Sequence, residues 1–164
     1  MKTLFSVIVL SFCVYFPLNV IAEESFDCPV TLGSKVIPDS PFSEFYWYGN
    51  GKKLAASVPA DGIWYTTHPD HLISVKLWWW SDAYRPSMES ELSVKIVSLH
   101  GDPQPPSYGR VTNGYQKSLK DSGPWAMLMG IDFPESGCWQ ITGRFRDQTL
   151  GFVVKVVDYT QWNN

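Results

Sequence analysis

An all-β fold, two antiparallel sheets stacked as a sandwich, is predicted by three features of this chain. Past the N-terminal apolar run, no segment carries a helical repeat of convincing length. Turn-forming residues recur about every eight to twelve positions. Between them lie runs rich in Val, Ile, Phe, Tyr and Trp that alternate apolar with polar, as a half-buried strand does. This spacing fits a sandwich or a barrel of about seven to eight strands.

The expected strands, in order, are Phe45–Tyr48, Leu54–Val58, Leu72–Trp80, Leu92–Leu99, Trp125–Phe133, Cys138–Arg144 and Thr149–Val157. A further short strand is expected near Pro29–Val36 or Tyr108–Thr112. Gly49-Asn50-Gly51 and Ala60-Asp61-Gly62 supply residues that tolerate positive φ, so they read as turns. Gly101-Asp102-Pro103-Gln104-Pro105-Pro106 cannot pair in a sheet interior, since its three prolines lack the N–H, and it reads as loop. Alternation then assigns faces. Ile73, Val75, Leu77 and Trp79 form a core face, with Ser74, Lys76, Trp78 and Trp80 opposite. Leu92, Val94 and Ile96 point one way. In the closing hairpin Trp139, Ile141 and Phe145 share a face, as do Leu150, Phe152, Val154 and Val156.

The first residues read as a secretory signal peptide over 1–22. Lys2 is the positive start, Leu4 to Val20 is almost wholly apolar, and Ala22 is a small residue followed by Glu23-Glu24. The alternative is a retained membrane anchor, since the run approaches the ~20 residues needed to span a bilayer. Taking 22 from 164 leaves 142 residues, a single domain over 23–164. Without Lys2, 12 basic side chains face 16 acidic ones, a net charge of −4. That mild acidity, with no basic patch, argues against nucleic acid as a partner, and no stable membrane insertion is expected after cleavage.

Cys13 leaves with the signal, so Cys28 and Cys138 remain. Two cysteines in an exported protein most simply pair. The loop so closed is long enough for about 4–5 kcal/mol in the chain-entropy account. Two free thiols, or a bridge to a partner, are the alternatives.

Several clusters carry candidate chemistry. Thr67-His68-Pro69-Asp70-His71 puts two imidazoles and a carboxylate within reach of one metal ion, with His100 as an added ligand if the fold brings it near. The plainer reading is a polar turn before the next strand. Trp78 and Trp80, with Tyr84 just beyond, suit stacking on a sugar or capture of a protein if exposed. The plainer reading is a second sheet face covered by other segments. Phe45-Tyr46-Trp47-Tyr48 poses the same choice. No nucleophile elbow surrounds a serine, no carboxylate pair stands out and no glycine-rich phosphate loop occurs. Cys138 with a distant histidine can be drawn as nucleophile and base, but a disulfide competes for that sulfur. No cofactor is expected.

The stretch Phe133-Pro134-Glu135-Ser136-Gly137-Cys138-Trp139-Gln140-Ile141-Thr142-Gly143-Arg144, followed by Leu150-Gly151-Phe152-Val153-Val154, resembles the end of a family of exported bacterial proteins with immunoglobulin-like β-sandwich domains. Asp61-Gly62-Ile63-Trp64 and Leu77-Trp78-Trp79-Trp80 resemble it more weakly. The likeness implies an immunoglobulin-like sandwich and an exported habitat, and it brings no catalytic residues. The expected function is a non-catalytic binding module of the cell envelope, its partner a protein or glycan, with Trp78, Trp80 and Tyr84 as the contact surface. A carbohydrate-binding module and a metal-binding protein using His68, Asp70 and His71 are the rival expectations.

Overall fold

The computed structural model describes residues 27–34, 45–50, 53–66, 73–85, 91–100, 106–108, 111–115 and 125–158. The expected signal segment and the His68, Asp70 and His71 cluster lie outside the described residues. No helix occurs among the described residues, and hence none long and apolar enough to cross a membrane. The fold is all-β and mostly antiparallel, in two sheets.

The described residues form ten strands: β1 (Trp47–Gly49), β2 (Ala55–Ser57), β3 (Ile63–Thr66), β4 (Ile73–Trp80), β5 (Ser93–Ser98), β6 (Ser107–Tyr108), β7 (Thr112–Tyr115), β8 (Trp125–Phe133), β9 (Gly137–Phe145) and β10 (Gln148–Asp158). The first sheet runs β1-β2-β4-β8-β6, with β7 also on β8. Tyr108 pairs with Ile131 and Thr112 with Leu128, so β6 and β7 lie along the same edge of β8. The second sheet runs β3-β10-β9-β5.

β4, β5, β8, β9 and β10 fall within one residue of the expected strands at either end. β1 starts two residues later than expected, at Trp47. Among the described residues of the expected Pro29–Val36 strand, 29–34, Ser34 forms an isolated bridge to Trp47 and no strand is present. β3 was not anticipated, and it pairs parallel to β10 through Ile63↔Lys155 to Thr66↔Asp158. Its turn is set locally. The Asp61 carboxylate accepts the Ile63 N–H at 3.0 Å, and Gly62 takes φ 71°. A side chain at Gly62 would also strike Val30 and Thr31 of the N-terminal segment.

The core lies between the sheets. Leu77, Trp79, Met127, Met129, Ile131 and Phe133 of the first sheet meet Ile96, Trp139, Ile141, Phe152, Val154 and Val156 of the second. The ring of Trp79 sits 5.7 Å from Phe152, and that of Phe133 sits 5.2 Å from Trp139. The face assignments from alternation hold wherever the side chains are described, and the side chain of Ile73 lies outside them. A second, smaller cluster lies on the opposite face of the first sheet and joins Trp47, Ala55, Trp80 and Ala126, with Phe45 and Trp78 against it.

One disulfide joins Cys28 to Cys138, with Cα atoms 5.6 Å apart. The segment from Cys28 to Ser34 is thereby tied to both sheets. Its Thr31 N–H donates to the Val153 carbonyl and its Thr31 hydroxyl accepts the Val153 N–H. Gly33 then donates to Pro59, and Ser34 exchanges two backbone bonds with Trp47.

Candidate functional site

The expected aromatic contact surface is not an open one. Trp80 is 6% exposed and Tyr84 is 4% exposed. Trp80 packs in a cluster with Trp47, Ala55 and Ala126, and it stands beside Ala55 in the β2–β4 pairing. Tyr84 packs edge-on against Phe145, 6.3 Å between ring centres. Trp78 is half-buried, stacked on Phe45 at 5.9 Å. The covered reading of Phe45-Tyr46-Trp47-Tyr48 and Trp78-Trp79-Trp80 fits this packing. Burial pushes the Tyr84 phenol above the ordinary tyrosine range.

A wide concavity lies elsewhere, at the end of the second sheet. It is a cleft of about 750 Å³ whose lining includes Cys28, Tyr65, His100, Glu135, Lys155 and Asp158. Its position follows from strand register. Tyr65 pairs with Val157, Ile63 with Lys155, and Lys155 with Cys138. Trp64 of β3 packs inward on Phe133, so Ile63 and Tyr65 face outward by alternation. Tyr65 is 53% exposed, the largest exposed aromatic surface among the described residues. A tyrosine held on a strand offers a rigid apolar face with a polar tip at low entropic cost.

The polar rim comes from strand ends. His100 follows β5 and accepts the Cys138 backbone N–H at Nδ1, 3.2 Å away. A neutral His100 therefore carries its proton on Nε2. The Ser136 hydroxyl accepts the Asp158 N–H at 2.9 Å, fixing the β8–β9 turn against the end of β10. The structure thus brings His100 to Cys138, but at the backbone. The Cys138 sulfur is in the disulfide, so no Cys–His nucleophile exists here while the bridge is closed. Among the described residues no group of three or more His, Cys, Asp or Glu side chains could hold a metal ion. The cleft can bind by shape, apolar contact and hydrogen bonding. Tyr65 stands between the expected Ala60-Asp61-Gly62 turn and the expected Leu72–Trp80 strand, in residues given no element, and only strand β3 makes it a site residue. The run Ile63-Trp64-Tyr65-Thr66 was the available signal.

Comparison with protein-family models, with curated proteins and with solved structures finds no match.

Proposed function

We propose that this chain is an exported, non-catalytic binding module of the cell envelope with an immunoglobulin-like sandwich, and that the cleft beside Tyr65 is its contact surface. The observation that carries the reading is the exposed Tyr65 ring in a wide cleft on a disulfide-braced sheet. A largely preformed concavity with few polar groups is the usual form of a binding site. The partner is a protein or glycan. Glu135, Asp158, His100 and Lys155 on the rim supply donors and acceptors for selectivity.

The strand orders support the fold half of the proposal. β2-β4-β8-β7 corresponds to the four-stranded sheet of an immunoglobulin-type sandwich, and β5-β9-β10 to its three-stranded sheet. β3 adds in parallel beside β10. The hairpin motif around Gly137-Cys138-Trp139 resembles exported proteins of that type. Fold alone assigns no function. The contact surface is therefore argued from exposure, which favours Tyr65 over Trp80 and Tyr84.

A photo-crosslinking residue at position 65 of the exported chain tests this. A discrete, saturable adduct from position 65, missing from position 149 at the other end of the sheet, supports the cleft. Equal labelling from both positions, or none, overturns it.

A further inference from the structure

We propose that Cys28 is the sulfur at which the disulfide exchanges with an incoming dithiol, and that opening the bridge there loosens Cys28 from the cleft wall together with the short segment leading to Thr31. The consequence for binding rests on the cleft being the contact surface; the exchange chemistry does not.

Three observations carry it. Both cysteines line the cleft, so a thiol can reach the bridge from solvent through it. The two residues are unequal in access: Cys138 is buried completely, whereas Cys28 is half-buried. Exchange goes to the sulfur that the attacking thiolate can approach. The two backbones are also held unequally. Cys138 sits in β9, paired with Lys155 on one side, bonded to Leu99 through its carbonyl and to His100 through its N–H. Cys28 lies outside any strand, and its carbonyl accepts a local bond from Val30. From Thr31 onward the segment is fastened again, by Val153, Pro59 and Trp47. The bridge is therefore the tie that fixes the short piece before Thr31 against the cleft.

The chemistry balances with a dithiol as reductant. One thiolate of the dithiol attacks the Cys28 sulfur. A bond forms between them, the Cys28–Cys138 bond breaks, and Cys138 leaves as a thiolate that takes a proton from water. The second thiolate of the dithiol then attacks its own sulfur in the mixed disulfide. That releases Cys28 as a thiolate, also protonated by water. The dithiol is oxidised by two electrons and the bridge is reduced by two. Run backwards, the same steps form the bridge.

The test uses the full, oxidised chain. Brief exposure to the monothiol glutathione, acid quench, alkylation and peptide mass mapping report which cysteine holds the mixed disulfide. Adducts on Cys28 should exceed those on Cys138 by about ten to one. Equal or reversed partition overturns the proposal, as does exchange that occurs only in denaturant. Amide hydrogen exchange after complete reduction with dithiothreitol tests the local clasp. Val30 should exchange about tenfold faster while Leu77 and Ile141 keep their protection. Loss of protection across β9 and β10 would make the bridge a global staple and overturn the clasp. A failed cross-link at position 65 leaves the adduct partition unaffected, so the two readings fail separately.

Discussion

Trp79 and Gly143 face each other across the sandwich, and a Cβ built on Gly143 would sit 2.2 Å from Cη2 of the Trp79 ring. The indole of the first sheet thus reaches the backbone of the second. The missing side chain at 143 is the socket that receives it.

Gly143→Ala should therefore destabilise the fold by about 1–3 kcal/mol, the usual range for overpacking a filled core. Trp79→Phe in the same chain should recover part of that loss, since a smaller ring vacates the contact. Urea unfolding of the two single variants and the double variant measures the coupling. Strict additivity would mean that the two residues do not share this space.

Burial separates the aromatic residues into two groups by expected effect. Trp80→Ala should cost about 3–5 kcal/mol, because the ring is enclosed by Trp47 and Ala126. Tyr65→Ala should change stability by less than about 0.5 kcal/mol, as for other exposed substitutions, while reducing the adduct from a photo-crosslinker placed at position 135 of the same cleft. Thermal unfolding and adduct formation, measured side by side, check the contrast.

Alkaline pH should weaken the fold through Tyr84. Its phenol titrates above the ordinary tyrosine range because burial disfavours the phenolate. The folded state then holds its proton where the unfolded state has lost it. The contribution is full below the ordinary tyrosine range and falls as pH rises through the raised value. Tyr84→Phe should flatten this part of the stability profile above about pH 10. Urea midpoints between neutral and strongly alkaline pH give the readout.

One hydroxyl helps to hold the N-terminal segment on β10. The Thr31 side chain accepts the Val153 N–H at 3.0 Å. Thr31→Val keeps the shape and removes the acceptor, so the Val153 amide loses its partner. A cost of about 1–3 kcal/mol is expected, with faster hydrogen exchange at Val153. Thr31→Ser should restore both.

Much of the fold was legible because alternation and turn residues are local signals. β4, β8, β9 and β10 each show an apolar residue at every second position between clear breaks. β3 escaped because Ile63-Trp64-Tyr65 is bulky at every position, with no polar alternation, and because its partner lies about ninety residues away in the chain, in a parallel pairing that no hairpin announces. Alternation also separated Trp78 and Trp80 from Trp79. It could not say what covers the outer face, which depends on Phe45 and Trp47 arriving from another strand. The cleft was harder still. Its lining comes from the ends of β3, β5, β9 and β10, and no short stretch of sequence contains it. The Cys28 and Cys138 pairing was accessible from compartment chemistry alone, whereas the meeting of His100 with the Cys138 amide required the fold.

The place of β10 between β3 and β9 has a consequence for assembly. An interior strand supplied by residues 148–158 means that β3 finds its in-sheet neighbour only after those residues exist. Cys28 likewise waits for Cys138, 110 positions later. On a ribosome, or emerging through a narrow pore, the early half of this domain has no finished sheet to join. It stays open to chaperones, proteases and wrong partners until the closing hairpin arrives, and then both ends are secured together.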